Sequence, residues 1–492
     1  MNQLIAFLRW PAMLLLAGVA AAQDPTGALE GKIADESGGA ITGASISVTN
    51  PQTGFSRRQT GSDDGLFRVS ALPVGSYMLT VEAPKFSRFS QGPIHILVSQ
   101  TARVDVQLKL ASVAESITVS ADASQVDTST NTLGKTVSGR EVLDLPLNGR
   151  NFTQLGLLQT GVAPVSAGVL RIGGTLREGQ AYAVNGQRPE SNNYLLDGSE
   201  NNNRVDGGFA LKIPVDAVME FRILTHTAPP EYGGYSGSTT SVVTKGGTNR
   251  LHGTLYEFFR NDKMDARNFF SARVEPLKQN QFGGTVGGPV RKDKAFVFGY
   301  YEGFRNRQGF TQSAVVPTEA QKRGDFSGLP IRLVNVAAGG VPYENNQIPP
   351  SQFHPLARRI LDLYPAGNIA PNVFASTVVT ENENNQAGGR ADLVHSEAGR
   401  LFARYSWSSG HNVNPISVRG APVPGFPTRD DLTAHSAVLS QTQVLSPSLT
   451  NDARVSFFRY EFLFDKRLNQ AAPRDFGFGY DSASPLGQGP PF

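Results

Sequence analysis

From Leu251 onward this 492-residue chain is written largely in two-residue alternation, and that pattern restricts its possible folds more than any other feature. Leu401, Ala403, Tyr405 and Trp407 fall on one face of a strand, and Arg400, Arg404 and Ser406 on the other. Ala453, Val455 and Phe457 repeat the theme after Ser446-Pro447-Ser448, as do Phe296, Phe298 and Tyr300 after the polar turn Arg291-Lys292-Asp293-Lys294. Apolar residues on one face with aromatics where an interface would fall describe a strand with lipid outside and a polar lumen inside. Beyond the N-terminus no run of about 18 apolar residues occurs, so helical spanning is excluded. A membrane segment here must be a closed barrel, because only closure satisfies every backbone group in hydrocarbon.

The chain carries 52 Gly and 31 Pro with 39% hydrophobic residues, a turn-rich all-β composition of two to four domains. A net charge of +3 is spread along the chain with no basic block, which argues against nucleic acid as a partner. There is no Cys, so neither disulfides nor thiolate metal sites exist. Residues 1–22 read as an export signal: Arg9 is the positive n-region, Ala12 to Ala22 an apolar core, and Ala20-Ala21-Ala22 before Gln23 a small-x-small cleavage site. The mature chain is expected to begin at Gln23.

Residues 27–110 contain short alternating runs at Ala44–Asn50, Leu66–Leu72, Tyr77–Ala83, Pro93–Ser99 and Arg103–Leu110, separated by turn clusters such as Asp63-Asp64-Gly65. Tyr77, Leu79 and Val81 share one face, as do Val104, Val106 and Leu108, which predicts a small β-sandwich of six or seven strands. The stretch DGLFRVSALPVGSYMLTVEAPKF resembles the carboxypeptidase regulatory-like domains, a transthyretin-like sandwich. A glycan-binding role for it rests on fold analogy alone.

Glu115-Ser116-Ile117-Thr118-Val119-Ser120-Ala121 lies in a Ser/Ala/Asp/Thr-rich linker (111–133) and resembles a TonB box. An extended β-branched run can add as a strand to a partner's sheet edge, and the linker is expected to be mobile enough to reach one. Residues 134–249 resemble the plug of the Oar-like TonB-dependent receptors. LDLPLNGRNFTQLGLLQTGV carries Asn148, Gly149, Arg150 and Asn151. VNGQRPESNNYLLDGSENNN carries Asp197 and Gly198, and the seam PPEYGGYSGSTTSVVTKGG carries Tyr232, Gly233 and Lys245. Leu195-Leu196-Asp197-Gly198 reads as a strand entering a turn, and Val218 to Leu224 as a core strand around Phe221 and Ile223. The implied fold class is mainly β: a transthyretin-like β-sandwich, an α+β plug, and part of an antiparallel transmembrane β-barrel over 250–492.

Short turns alternate with long excursions, notably about 80 residues from Gln308 to Ala387. About eight barrel strands are legible, against 22 in the TonB-dependent family, and the terminal Gly489-Pro490-Pro491-Phe492 does not read as a closing strand. This chain is therefore expected to be a truncated product or fragment. The resemblance implies an outer-membrane receptor or transporter whose partners are a TonB-type energy-transducing protein, outer-membrane lipid, the barrel assembly machinery and an unknown extracellular ligand, with carbohydrate as one candidate class. The rival is a surface-binding or adhesion protein that uses the sandwich. Substrate-binding residues are not legible.

The seven His residues (His95, His226, His252, His354, His395, His411, His435) are scattered and form no H-x-x-x-H or H-E-x-x-H, so no metal site is expected. Gly134-Lys135-Thr136 lacks the first Gly of a P-loop, since position 129 is Ser. Ser236 follows Gly234, but Ser238 stands where a nucleophile elbow needs its second Gly. The sequence predicts no catalytic residues, no cofactor and no enzyme.

Overall fold

The computed structural model describes residues 25–110, 117–119, 132–165, 181–204, 207–226, 228, 232–267, 274–415, 427–446, 449–468, 474 and 477. The proposed signal segment therefore lies outside the described residues, as do Glu115, Ser116, Ser120 and Ala121 of the proposed box.

The N-terminal unit is a two-sheet sandwich. One sheet holds β1 (Thr26–Asp35), β4 (Leu66–Pro73), β7 (Thr101–Arg103) and β8 (Val106–Leu108). The other has the order β3-β2-β5-β6-β9, built from β2 (Ser45–Thr49), β3 (Ser56–Thr60), β5 (Gly75–Glu82), β6 (Phe89–Ile96) and β9 (Ile117–Val119). Alternation produces this shape: Tyr77, Leu79 and Val81 point into the same core as Ile46, Val48, Val104, Val106 and Leu108. Buried Tyr77 donates its hydroxyl to the Pro73 carbonyl at 2.8 Å, so its polar tip is satisfied inside the core. Two strands escaped the sequence reading. β1 is dominated by small and charged residues, and β3 (SRRQT) has almost no apolar alternation. The sixth strand begins at Phe89 and not at Pro93, and Arg103–Leu110 divides into β7 and β8.

The second unit has its own core and a mixed five-stranded sheet, β10-β17-β18-β13-β14. Its strands are β10 (Leu133–Ser138), β13 (Asn193–Leu196), β14 (Ser199–Glu200), β17 (Val218–His226) and β18 (Thr239–Thr244). Two small ribbons accompany them, β11–β12 (Val162–Pro164, Tyr182–Val184) and β15–β16 (Asn202–Asn203, Gly208–Phe209). The helix Gly139–Asp144 starts on a capping box, in which Ser138 Oγ accepts the Glu141 N–H and Glu141 accepts the Ser138 N–H at 2.8 Å. β17 is central between β10 and β18 and buries almost every side chain, as expected of a core strand around Phe221 and Ile223.

The third unit is one antiparallel sheet, β19-β20-β21-β24-β25-β26-β27: His252–Asn261, Leu277–Arg291, Ala295–Val315, Val373–Ser396, Gly399–Asn414, Thr428–Ser446 and Leu449–Arg467. Between β21 and β24 a loop carries the small ribbon β22–β23 (Val334–Asn335, Val341–Pro342). Seven long strands lie among the described residues, against about eight expected. The long excursion is shorter than the sequence suggested, because β21 runs 21 residues and β24 runs 24. A membrane crossing takes only about 9–11 residues, so these strands continue as a ribbon beyond it.

The outer face is apolar and exposed: Leu255 is 93% exposed, and Val297, Tyr405, Leu439, Val455 and Phe457 follow it. The alternation around Tyr405 and around Val455 and Phe457 thus turns its apolar side outward, as the sequence predicts. Phe296, Phe298 and Tyr300 depart from that expectation. These three are buried and point inward, and Phe298 and Tyr300 join the second unit's core. The lumen is filled by packed protein at that height, so large apolar side chains belong on the inner wall.

Candidate functional site

The inner unit is fastened to the wall by a buried ionic network centred on Asp197. Asp197 and Gly198 form the two-residue turn between β13 and β14, with φ of 49° and 73° and Leu196 opposite Ser199. Asp-Gly tolerates both left-handed positions, which is why this dipeptide closes the hairpin. The turn pushes the carboxylate against the wall. Asp197 Oδ1 accepts the Thr244 N–H at 2.8 Å and Oδ2 accepts the Thr244 hydroxyl at 2.9 Å. From the wall, Arg404 Nε on β25 lies 3.0 Å from Oδ2 and Arg390 Nη1 on β24 lies 3.3 Å from Oδ1.

The guanidinium groups are anchored in turn. Arg390 meets both oxygens of Asp392 at 2.8 and 2.9 Å and stacks 4.7 Å above the Phe402 ring. Arg404 donates to Ser406 Oγ and Ser436 Oγ on the wall, both at 3.1 Å, and to the Leu196 carbonyl and Ser199 Oγ of the hairpin, both at 3.2 Å. The side chains of Asp197 and Arg404 are fully buried. A buried charge this well surrounded contributes specific placement, whereas removal of one partner leaves the others stranded.

A second tie involves the Asn148–Asn151 segment. Gly149 and Arg150 both take positive φ (62° and 53°), which turns Arg150 outward to the wall. It forms an ion pair with Asp216 and lies over the rings of Tyr256 (4.8 Å) and Phe258 (4.2 Å) of β19. Tyr256 donates to Glu302 Oε2 at 3.0 Å. Asn151 caps the following 3-10 turn, accepting the Thr153 N–H and hydroxyl at 3.2 and 2.7 Å. Asn148 opens the preceding turn.

Lys245 directly follows β18, and its N–H donates to the Ala217 carbonyl at 2.8 Å. Burial lowers the pKa of its ammonium, against the pull of Asp216. Tyr232 is buried and its hydroxyl meets Ser99 Oγ of the sandwich, while Gly233 beside it is exposed. The marked residues therefore do not converge on one pocket. Asp197, Gly198 and Arg150 tie the inner unit to the wall, and Tyr232 ties it to the sandwich. The wall partners Arg390 and Arg404 were missed as a site. Their signal was an arginine on the inward face of strands whose other inward residues are mostly small or amide-bearing.

Of the proposed box, Ile117–Val119 forms β9, an edge strand running parallel to β6 with Phe89↔Ile117, Ser90↔Thr118 and Gln91↔Val119 in register. The mobile linker expected there is, over these three residues, part of the sandwich sheet.

Residues 243–491 match the outer membrane beta barrel domain family, and residues 28–109 match the carboxypeptidase regulatory-like domain. The TonB-dependent transporter Oar of Myxococcus xanthus is 24% identical over 269 residues, covering 51% of this chain and 24% of that protein. The chain thus spans about a quarter of the length of this curated relative. Among solved structures, the ferric enterobactin receptor of Pseudomonas aeruginosa is 13% identical with a TM-score of 0.41 over 68% of this chain and 42% of its own. The outer membrane transporter YddB of Escherichia coli is 10% identical with a TM-score of 0.44 over 66% of this chain and 38% of its own.

Proposed function

Because this chain belongs to the outer membrane beta barrel domain family, we propose that it is the plug-bearing part of an outer-membrane TonB-dependent receptor. In this reading residues 134–249 are the plug, and an extracellular ligand is imported past it. A periplasmic TonB-type protein supplies the energy by drawing on the segment Glu115–Ala121. The outer membrane is the chain's location, and the sandwich lies on the near side with the short turns of the wall.

The observation that carries this reading is the Asp197 network. The turn that the inner unit presents to the wall is held through charge and hydrogen bonds, beside an apolar core to which Phe298, Tyr300 and Ala434 of the wall also contribute. Water and alternative polar partners can replace such contacts in steps, so a unit held this way can be displaced by a pull and can return.

The test is capture of the segment by its partner. Full chain in detergent should bind the periplasmic C-terminal domain of a TonB-type protein, and Val119→Pro should weaken binding by at least tenfold. Proline removes a backbone donor from the strand that the partner would pair. Equal binding by parent and Val119→Pro would refute the coupling role of this segment.

A further inference from the structure

We infer that the N-terminal sandwich is a releasable clamp that fastens the plug unit to the near rim of the wall, so that the plug moves only after the sandwich lets go. The inference goes beyond the transport reading and does not require it, because it stands on the contacts of three units of this chain.

The first foot of the clamp is the loop Leu97–Gln100 between β6 and β7. The Val98 N–H donates to Glu220 Oε1 at 2.8 Å, and Arg222 Nη1 donates to the Val98 carbonyl. Glu220 and Arg222 are two residues apart on β17 and so point the same way. Together they grip both polar groups of one residue, as a neighbouring strand would, but with side chains. Ser99 beside it meets the Tyr232 hydroxyl.

The second foot is the loop 50–55, which touches the plug end and the wall together. The Gln52 carbonyl accepts the Asn249 N–H at 2.9 Å. Asn249 in turn exchanges two hydrogen bonds with Asp293 in the β20–β21 turn, at 2.6 and 2.8 Å. Gly54, at φ 69°, packs against the Asp293 side chain so closely that a Cβ would collide with it. Val394 of β24 packs against the sandwich core.

The grip is made chiefly of hydrogen bonds, each modest in water, while the two cores it joins are separate. It can therefore open without either unit unfolding. Glu220 is poised for this. The residue is 1% exposed, and its Oε2 has no donor among the described residues. Burial lifts its pKa to about 7, against the Val98 N–H and Arg222. Opposite it, Ser138 of β10, Val243 of β18 and the loop Leu97–Gln100 are neutral, which leaves Arg222 as the charged group facing it.

The chain has no cysteine, so Asp63→Cys on an exposed sandwich turn and Lys292→Cys on the wall turn give two unique spin-label sites. In the full labelled chain in detergent, the interlabel distance should be narrow. It should broaden in Glu220→Ala/Arg222→Ala. Should that pair disturb the plug fold, Ser99→Ala/Tyr232→Phe removes only the hydroxyl contact and should broaden the distance more weakly. In the opened variants, amide exchange in the Leu196–Ser199 hairpin should quicken at least tenfold while the sandwich core amides stay unchanged. A broad distance in the labelled parent overturns the clamp, as does a narrow one in every variant. Unchanged hairpin exchange in a variant whose sandwich has undocked overturns it equally, because the plug would then be held by the wall alone.

Discussion

Replacing Asp197 tests the tie between plug and wall most directly. Asp197→Ala leaves the Thr244 N–H without its acceptor and two wall guanidinium groups, on Arg390 and Arg404, facing an apolar gap. Removing one partner of a buried pair costs about 3–5 kcal/mol, because the remaining charges stay desolvated. Arg390 keeps Asp392 at 2.8 Å, so most of that cost should arise at Arg404. We expect about 4 kcal/mol, or roughly a thousandfold in the population of the open plug. Asp197→Asn keeps the shape and one acceptor and should cost less. Asp197→Leu combined with Arg404→Met should be milder than either single change, because no charge is then left buried alone. The assay is native-state amide exchange of β13 and β18 in the full chain in detergent, with the sandwich amides as internal reference. An Asp197→Ala penalty below about 1 kcal/mol, or strictly additive behaviour of the pair, would refute the argument that this network holds the plug.

Burial raises the Glu220 carboxyl from 4.5 to about 7, so a state in which undocking returns this carboxyl to water binds the proton less tightly than the docked one. Docking is therefore fully supported below about pH 4.5 and loses on the order of 3 kcal/mol as pH rises through 7; the Asp63–Lys292 label distance measured from pH 5 to 8 should show this. Glu220→Gln should remove the dependence, and a flat profile in the parent would disprove it. Arg150→Lys keeps the charge but not the planar group that stacks on Tyr256 and Phe258, so it should destabilise the plug by about 1–2 kcal/mol in urea titration, and behaviour equal to the parent would show that the stacking is idle. Gly31→Ala would drive a methyl group into the Val104 carbonyl and should abolish the cooperative melting of the sandwich, whereas Gly38→Ala, with open space at that site, should show only backbone strain.

Much of this architecture could be read from the order of residues because its signals are local. Alternation is a property of neighbours, so the strand around Tyr405 and those around Tyr77 and Val104 are legible without any contact being known. The same holds for the Asp197-Gly198 turn, since positive φ at both positions is a demand on two residues only. Alternation gives two faces but does not say which is inside. At Tyr405 the lipid-facing side is the apolar one, whereas at Phe296, Phe298 and Tyr300 the apolar side faces a filled lumen, and only the packed plug distinguishes the two cases. β3 escaped because its place depends on an edge supplied by β2, and β9 was legible as an extended run but not as a partner of β6. The network around Asp197 was out of reach for the same reason. Arg390 and Arg404 lie about two hundred residues away in sequence, and a charge becomes a fastening only where folding has removed the water and placed its partner beside it.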